Sequence, residues 1–241
     1  MRVDVAFTPG LLTPAALAGA TALVIDVLRA STSIVTALGN GCLGVVPVAE
    51  VDEARRRVAD VPGALLAGER GGDAPAGFDL GNSPLEFTQE RVAGRTIVLT
   101  TSNGTRALLA ARTAAVVGVA AFANLTAAAD WALGHGRNVV VVCAGELGGR
   151  ALEDEICAGL LVDRLLANVP RATPGPAAAA AVEAARSYAK DLARLAEAAP
   201  HARRLAAKGR GPDVAACLTL DASSLVPIYR ADVDKVVLPY R

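Results

Sequence analysis

Short apolar runs alternate with helical stretches along this chain, and that alternation limits the folds that it can adopt. Leu23 to Ile25 form a strand-like run, and the apolar residues after Ser33 recur at helical spacing. The pattern predicts strands at residues 2–7, 22–27, 44–48, 64–67, 96–100, 115–119, 138–142, 225–229 and 235–238. It predicts helices at residues 13–18, 33–39, 51–59, 104–112, 125–133, 152–167 and 175–199. We therefore expect one compact α/β unit over residues 1–241, layered α/β/α with a largely parallel sheet.

The composition excludes several classes of protein. Of 241 residues 53% are hydrophobic but only 3% aromatic, and no apolar run approaches the roughly 20 residues of a membrane helix. The N-terminus has no basic and apolar secretory signal, which favours the cytoplasm. Lys and Arg balance Asp and Glu at 24 each, so neither nucleic acid nor a membrane is an expected partner, and homo-oligomerisation stays open. Four scattered cysteines predict buried thiols: Cys42, Cys143, Cys157 and Cys217.

A first polar turn follows the strand predicted at 22–27. It contains Asp26, Arg29, Ser31 and Thr32 directly before a predicted helix. Ligands of open α/β sheets bind at the carboxyl ends of strands, and the free amides of a helix N-terminus favour an anion. The turn therefore predicts an anion site. In the alternative interpretation a hydroxyl only caps the helix, Asp26 accepts turn amides and Arg29 is solvated.

A second polar turn runs from Thr100 to Arg106 after another buried strand. It combines hydroxyls, an amide, a glycine and a guanidinium, which is the composition of a phosphate cradle. Gly104 lets consecutive amides point to one place, and the lysine of a Walker loop is absent. An ordinary Asn-Gly turn capped by threonine is the alternative.

The two turns have similar surroundings. Residues 24–32 and 97–107 each contain a strand end, a turn with hydroxyls and an arginine, and a helix start. This echo suggests an internal duplication, with similar, interleaved βαβ halves at roughly 1–95 and 96–241. The alternative is that all strand-turn-helix units look alike in a chain rich in Ala and Val.

A third polar strand end carries adjacent carboxylates. A glycine-rich loop after residues 138–142 leads to Glu153 and Asp154 at the start of a helix. Magnesium prefers a few carboxylates together with water and phosphate oxygens, so Asp26 with Glu153 or Asp154 makes a sensible Mg²⁺ site. The two acids could instead only complement the helix dipole.

Together with residues 68–70 and 77–84 of the glycine-dense loop between the first two turns, these motifs resemble the 2-phosphosulfolactate phosphatase family. They occur in family order from Val24 to about Gly159, and residues 213–227 resemble the family's ending. The chain departs from the family at His201-Ala202-Arg203, where members tend to have His-Gly, which puts a role for His201 in doubt.

The resemblance implies a Mg²⁺-dependent hydrolase that converts 2-phospho-3-sulfolactate into 3-sulfolactate and phosphate, a step of coenzyme M biosynthesis. The candidate catalytic residues are Asp26, Glu69, Glu153 and Asp154, and the candidate metal ligands are Asp26, Glu153 and Asp154. The candidate ligands of the small anionic phosphorylated substrate are Arg29, Ser31, Thr32, Arg70, Asn82, Ser83, Thr101, Ser102, Asn103, Gly104, Thr105 and Arg106. No Asp-x-Asp of haloacid-type phosphatases follows the strands predicted at 22–27, 96–100 and 138–142, and the Cys-x5-Arg of tyrosine phosphatases is absent, which favours direct attack by water.

Other functions stay open at this point. The substrate could be a related phosphorylated hydroxy acid, or the protein could bind an anionic metabolite without turnover. A nucleotide-dependent oxidoreductase is favoured only by analogy of fold, because no G-x-G-x-x-G follows the first strand.

Overall fold

The computed structural model describes residues 1–239. The strands of this part of the chain form one sheet. They are β1 Arg2–Ala6, β2 Thr21–Ile25, β3 Gly44–Val48, β4 Leu65–Gly68, β5 Thr96–Thr100, β6 Val116–Ala120, β7 Val139–Cys143, β8 Thr173–Pro174, β9 Ile228–Arg230 and β10 Lys235–Val237. β2, β3 and β7 are buried along their whole length, which explains their continuous apolar sequences.

Helices connect most of the strands. They are α1 Pro14–Leu17, α2 Ala30–Gly39, α3 Val51–Ala59, α4 Gln89–Val92, α5 Gly104–Ala111, α6 Leu125–Gly134, α7 Leu152–Asn168, α8 Pro176–Arg186, α9 Leu195–Ala198, α10 Pro200–Leu205 and α11 Gly211–Cys217. A π-helical turn, Ala206–Arg210, joins α10 to α11. Within residues 1–239 no helix has both the length and the apolar character needed to cross a bilayer.

The sheet consists of two parallel blocks joined by an antiparallel hairpin. Its strand order is β4-β5-β3-β10-β9-β6-β2-β7-β1-β8. β3, β4 and β5 pair in parallel, and so do β6, β2, β7, β1 and β8. The hairpin of β9 and β10 pairs antiparallel with a block on each side, so the two blocks run in opposite senses. The prediction of a largely parallel sheet is confirmed.

Helices cover both faces of the sheet, as the layered prediction requires. Alternate residues of β2 enter different cores because strand side chains point to opposite faces. Leu23 and Ile25 belong to a core covered by α6, α7 and α8, whereas Val24 belongs to a second core covered by α2 and α5. A smaller third core lies beneath α3. All four cysteines are buried and free, as predicted.

Two stretches near the C-terminal end differ from their predictions. The single helix predicted over 175–199 is wrong: α8 ends at Arg186, and a short 3₁₀ turn and α9 follow. The high helix propensity of this Ala-rich segment does not encode where the chain must bend to return to the sheet. The strand predicted at 225–229 begins later, at Ile228, and the short edge strand β8 has no counterpart among the predictions.

Candidate active site

The polar strand ends open into one cleft of about 210 Å³. Residues that follow β2, β4, β5 and β7 form one side of it, and a helical face from α10 and the π turn forms the other. Its lining consists of Asp26, Leu28, Arg29, Glu69, Gly71, Gly72, Asn82, Ser102, Asn103, Glu146, Leu147, His201, Arg204, Leu205 and Lys208. The sequence motifs thus meet in space, although up to 120 residues separate the first, Asp26, from the last strand-end residue, Glu146.

Asp26 lies in the wall of the cleft directly after β2. Its Oδ1 accepts a hydrogen bond from the Ala30 amide at 3.1 Å, which fixes the carboxylate against the first turn of α2. Oδ2 lies beside Gly104, where an added Cβ would come within 2.5 Å of it. The first residue of α5 must therefore be glycine for the two helix N-termini to meet around this carboxylate. Burial, followed by the nearby Glu69 and Glu153, raises the pKa of Asp26 to about 6, despite the opposing effects of the Ala30 amide and His201.

The hydroxyls of the first polar turn point into the protein. Ser31 Oγ accepts from the Asp26 amide at 2.9 Å, Thr32 Oγ1 donates to the Val27 carbonyl at 3.1 Å, and Ser33 Oγ donates to the Asn82 carbonyl at 2.8 Å. These residues are buried and are not part of the cleft lining. The predicted contacts of Ser31 and Thr32 with substrate have no support in this geometry. The N-cap of α2 is Arg29, which accepts no side-chain capping hydrogen bond, so the hydroxyls do not cap the helix either.

Glu69 connects two of the loops. Its Oε1 accepts from the Ser102 amide at 2.7 Å, and its Oε2 accepts from the Gly72 amide at 2.8 Å and from Ser102 Oγ at 3.3 Å. A Cβ on Gly68, which has a φ of 148°, would approach the Thr100 carbonyl oxygen to 2.0 Å. The glycine therefore allows the close approach that brings Glu69 to the second turn.

Arg29 is neutralised inside the protein. Its guanidinium, only 2% exposed, donates to Asp213 Oδ2 at 2.6 Å and to the Gly72 carbonyl at 2.7 Å. Ser83 Oγ donates to the other oxygen of Asp213, also at 2.6 Å. Arg29 remains at the edge of the cleft, whereas Ser83 faces the buried pair and is absent from the cleft lining.

The two other predicted arginines lie elsewhere. Arg70 donates to the Glu69 and Ala49 carbonyls and to Thr100 Oγ1 at 2.7 to 2.9 Å, and it is not part of the cleft lining. Arg106 makes an exposed ion pair with Glu50 at 2.5 Å, also outside that lining. Position 106 falls on the outer side of α5, because successive helical residues point about 100° apart. The predicted substrate contacts of both arginines have no support in this geometry.

The second polar turn has two residues that stabilise the turn itself and two that line the cleft. Thr101 and Thr105 cap each other: Thr101 Oγ1 accepts from the Thr105 amide at 3.0 Å, and Thr105 Oγ1 accepts from the Thr101 amide at 3.1 Å. Both are buried, whereas Ser102 and Asn103 line the cleft. Asn82 lines it too, and its buried Oδ1 has no hydrogen-bond partner among the described residues.

Glu153 and Asp154 differ in their surroundings. Both oxygens of Asp154 accept backbone amides, from Val27 at 2.8 Å and Gly145 at 3.0 Å, so this acid joins the first and third polar turns. Burial, together with the charges of Asp26 and Glu153, raises the pKa of Asp154. Glu153 Oε1 lies 3.0 Å from His201 Nδ1, while its buried Oε2 has no partner among the described residues.

His201 belongs to the site, although its sequence context left its role in doubt. A carboxylate only accepts hydrogen bonds, so Nδ1 is the donor to Glu153. Burial lowers the pKa of His201, but its hydrogen bond to Glu153 and the charges of Glu153, Glu146 and Asp26 outweigh that effect and raise it. The imidazole thus orients Glu153 and leaves Oε2 free.

The helical face of α10 and the π turn that closes the cleft was not predicted from the sequence. His201, Arg204, Leu205 and Lys208 occupy positions i, i+3, i+4 and i+7, which is one side of a helix. That spacing was visible in the sequence. What it did not reveal was the partner, because this face meets loops about 55 to 135 residues earlier in the chain.

The carboxylates fit Mg²⁺ only as a sparse site. Among residues 1–239 no three His, Cys, Asp or Glu side chains converge as a ready cation cage. Mg²⁺ usually requires only one or two protein carboxylates, with water and phosphate completing its shell. Asp26 Oδ2 and the unpartnered Glu153 Oε2 suit that requirement, whereas both oxygens of Asp154 are already engaged with amides. Glu153 is buried outside the cleft lining and touches it through His201, which lines the cleft.

A family model described as "2-phosphosulpholactate phosphatase" matches residues 6–232. The chain belongs to this family. Curated relatives bear the name "Probable 2-phosphosulfolactate phosphatase". The protein of Thermotoga petrophila is 42% identical over 207 residues, which are 86% of this chain and 88% of the relative. The protein of Gloeobacter violaceus is 39% identical over 233 residues, 94% of each chain, and that of Clostridium acetobutylicum is 34% identical over 230 residues, 95% and 97%.

The extent of the 2-phosphosulpholactate phosphatase match agrees with the geometry of the site. It includes every residue of the cleft lining, from Asp26 to Lys208, and extends beyond Asp213, the buried partner of Arg29. The C-terminal helices are thus part of the family's unit and not an appendage to it.

Proposed function

We propose that this protein is a Mg²⁺-dependent phosphatase that hydrolyses 2-phospho-3-sulfolactate to 3-sulfolactate and phosphate. The reaction would belong to sulfolactate formation for coenzyme M. The observation that carries the proposal is Asp26, a buried carboxylate in the wall of a cleft that also contains cationic side chains. The names of the curated relatives support the same substrate.

Asp26 and Glu153 are the residues that would hold the cation. When bound, Mg²⁺ supplies positive charge that offsets the phosphate and makes water more acidic. His201 donates from Nδ1 to Glu153 Oε1 at 3.0 Å and thereby fixes that carboxylate with its other oxygen free. Asp154 does not need to be a ligand to matter, because it holds the amides of Val27 and Gly145 and so sets the course of both loops.

The chain's own groups bind and orient the reactants. Asn103, at the N-terminus of α5, is placed to donate hydrogen bonds to phosphate oxygens, whereas the amide and hydroxyl of Ser102 already donate to Glu69. Arg29, neutralised by Asp213, holds the Gly72 carbonyl and so supports the edge of the cleft. The Asp26 carboxylate would also orient the attacking water towards phosphorus from the same wall of the cleft. None of these roles requires a phosphorylated side chain.

The test is phosphate release from 2-phospho-3-sulfolactate and related phosphorylated hydroxy acids, with Mg²⁺ and with excess chelator. We expect release only with the cation, and fastest from 2-phospho-3-sulfolactate. Glu153→Gln should raise the Mg²⁺ concentration needed for half-maximal rate. The matched control Glu155→Gln should not, because Arg150 engages both carboxylate oxygens of Glu155, whereas Glu153 Oε2 has no partner among the described residues. Full activity in excess chelator would disprove the Mg²⁺ requirement. Tight binding of 2-phospho-3-sulfolactate without any release of phosphate would favour the metabolite-binding alternative.

A further inference from the structure

The cationic side chains that can reach a ligand are not those that the sequence motifs contain. Arg29 is buried against Asp213, Arg70 is occupied by carbonyls, and Arg106 lies outside the cleft lining. Among the residues that line the cleft, Arg204 and Lys208 are the cations with half-exposed side chains, at 50% and 46%. They lie one turn apart on the face that α10 and the π turn present to the strand ends.

Each of these cations is held by a loop but keeps donors to spare. Arg204 gives one terminal nitrogen, Nη2, to Glu146. Lys208 Nζ donates to the Gly71 carbonyl at 2.7 Å and to Asp73 Oδ2 at 2.8 Å. A guanidinium has five N–H donors and an ammonium three, so both groups can also donate to the oxygens of an anion. The loop contacts orient the two side chains over the cleft before a ligand arrives.

We infer that Arg204 and Lys208 bind the second anionic group of the substrate, the sulfonate or carboxylate remote from the phosphate. The inference rests on the proposed function and adds to it the two side chains that recognise the further anion of such a phosphate ester. The phosphate has its own partners across the cleft, at Asn103 and around Asp26. Charge-assisted hydrogen bonds from two donors on a single helix face can distinguish such a substrate from a simple ester, whose alkyl end offers no acceptor.

The experiment compares two substrates. Arg204→Gln, Lys208→Gln and the double variant are assayed with 2-phospho-3-sulfolactate and with ethyl phosphate, which lacks a second anion. For 2-phospho-3-sulfolactate we expect KM to rise about 10- to 100-fold in the double variant, with kcat nearly unchanged. For ethyl phosphate neither constant should change. The matched control is Arg203→Gln, an exposed neighbour outside the cleft lining, which should behave as wild type with both substrates.

A merely structural role for these ion pairs makes a different prediction. Asp73→Asn and Glu146→Gln remove the partners but keep Lys208 and Arg204. If the pairs only closed the loops, these variants would weaken the binding of 3-sulfolactate as much as the loss of the cations does. If the cations hold the ligand, calorimetry should find 3-sulfolactate bound as tightly as in wild type or more tightly.

The outcomes separate this inference from the proposed function. A parallel loss with both substrates, or an unchanged KM in the double variant, overturns the inference while the phosphatase activity stands. Absence of any phosphate release overturns the proposed function. Calorimetry with 3-sulfolactate then still decides whether Arg204 and Lys208 bind the anion, because it requires no turnover.

Discussion

The Asp26 carboxylate is buried where the N-termini of α2 and α5 meet, accepts one hydrogen bond from a backbone amide, and has a raised pKa. Asp26→Asn keeps the size of the side chain and its hydrogen bond to the Ala30 amide but removes the charge. If Asp26 holds the cation or orients water, phosphate release should fall by about two orders of magnitude or more while the protein stays folded. The measurements are kcat and the melting temperature.

The control for this variant is Asp60→Asn, an exposed residue directly after α3 and outside the cleft lining. It should leave both quantities unchanged. A carboxylate that only completed the turn would be replaced by asparagine without consequence, so near-normal turnover in Asp26→Asn would remove it from the active site.

The same variant predicts a pH dependence of stability. The folded-state pKa of Asp26 is raised to about 6 from 3.8, so ionisation favours the unfolded chain. Below about pH 4 the carboxyl is neutral in both states and wild type and Asp26→Asn should melt alike. As the pH rises towards 6 the wild type should lose stability relative to the variant, and the difference should stay constant above that. Melting curves of wild type and Asp26→Asn, recorded without divalent cations across this pH range, measure the difference in stability. A difference that does not change with pH would contradict the raised pKa of Asp26.

For individual side chains, the sequence predicted where polar residues cluster but not in which direction they point. Ser31, Ser102 and Arg106 are equally polar in sequence, yet Ser102 lines the cleft, Ser31 faces the backbone and Arg106 faces solvent. A shift of one helical position turns a side chain by about 100°, and a sequence pattern predicts a helix start only to within a few residues. Composition alone therefore could not decide between ligand contact and capping.

The contact between α2 and α5 is an element-level feature that depends on one glycine. A Cβ on Gly104 would come within 2.5 Å of both Asp26 Oδ2 and Ala30 Cβ. Gly104→Ala should therefore push α5 away from α2, lower phosphate release by about 100-fold and destabilise the protein by about 1 to 3 kcal/mol. Kinetics and urea unfolding measure the two effects.

Gly134→Ala provides the matched control for that substitution. Gly134 ends α6, and nothing lies within 4 Å of the position of its Cβ. Replacement should leave activity unchanged and stabilise the helix slightly, because alanine is the better helix former. Equal losses in both variants would mean that the α2–α5 contact has no special role.

The buried pair of Arg29 and Asp213 links α11 to the first turn of α2. Asp213→Asn would leave the Arg29 charge buried without a carboxylate, which should lower the free energy of unfolding by about 3 to 5 kcal/mol. The control, Glu183→Gln, breaks an exposed pair with Arg186 and should have no measurable effect. Urea unfolding at pH 7 compares them, and similar small changes in both would show that the buried pair contributes little.

Most elements were predictable because their signals are local. β3, β5 and α3 have the predicted bounds, since apolar periodicity and flanking turn residues define them within a few positions. The bounds of the C-terminal helices were harder to predict from the sequence. α10 and the π turn contact loops near Glu146 and Asp73, and no local pattern contains those contacts.

The predicted α/β fold class of the molecule was right, but the opposite strand directions of the two parallel blocks were not predicted. Alternating strands and helices normally indicate parallel neighbours. Here α2 leads from β2 in one block to β3 in the other, and α5 leads back from β5 to β6. The duplication into halves at 1–95 and 96–241 stays a prediction. The strands of these two segments interleave in the sheet.

That interleaving bears on synthesis as well as on the finished protein. Four strands, β1 to β4, lie within residues 1–95, and in the described sheet each of them pairs only with strands encoded later. A ribosome that has released the first 95 residues has therefore released four apolar strands with no partner for any of them. The chain must stay unpaired until β5, and then β6 and β7, emerge. Long-range pairing of this kind delays folding and leaves the nascent segment exposed to aggregation and to chaperones.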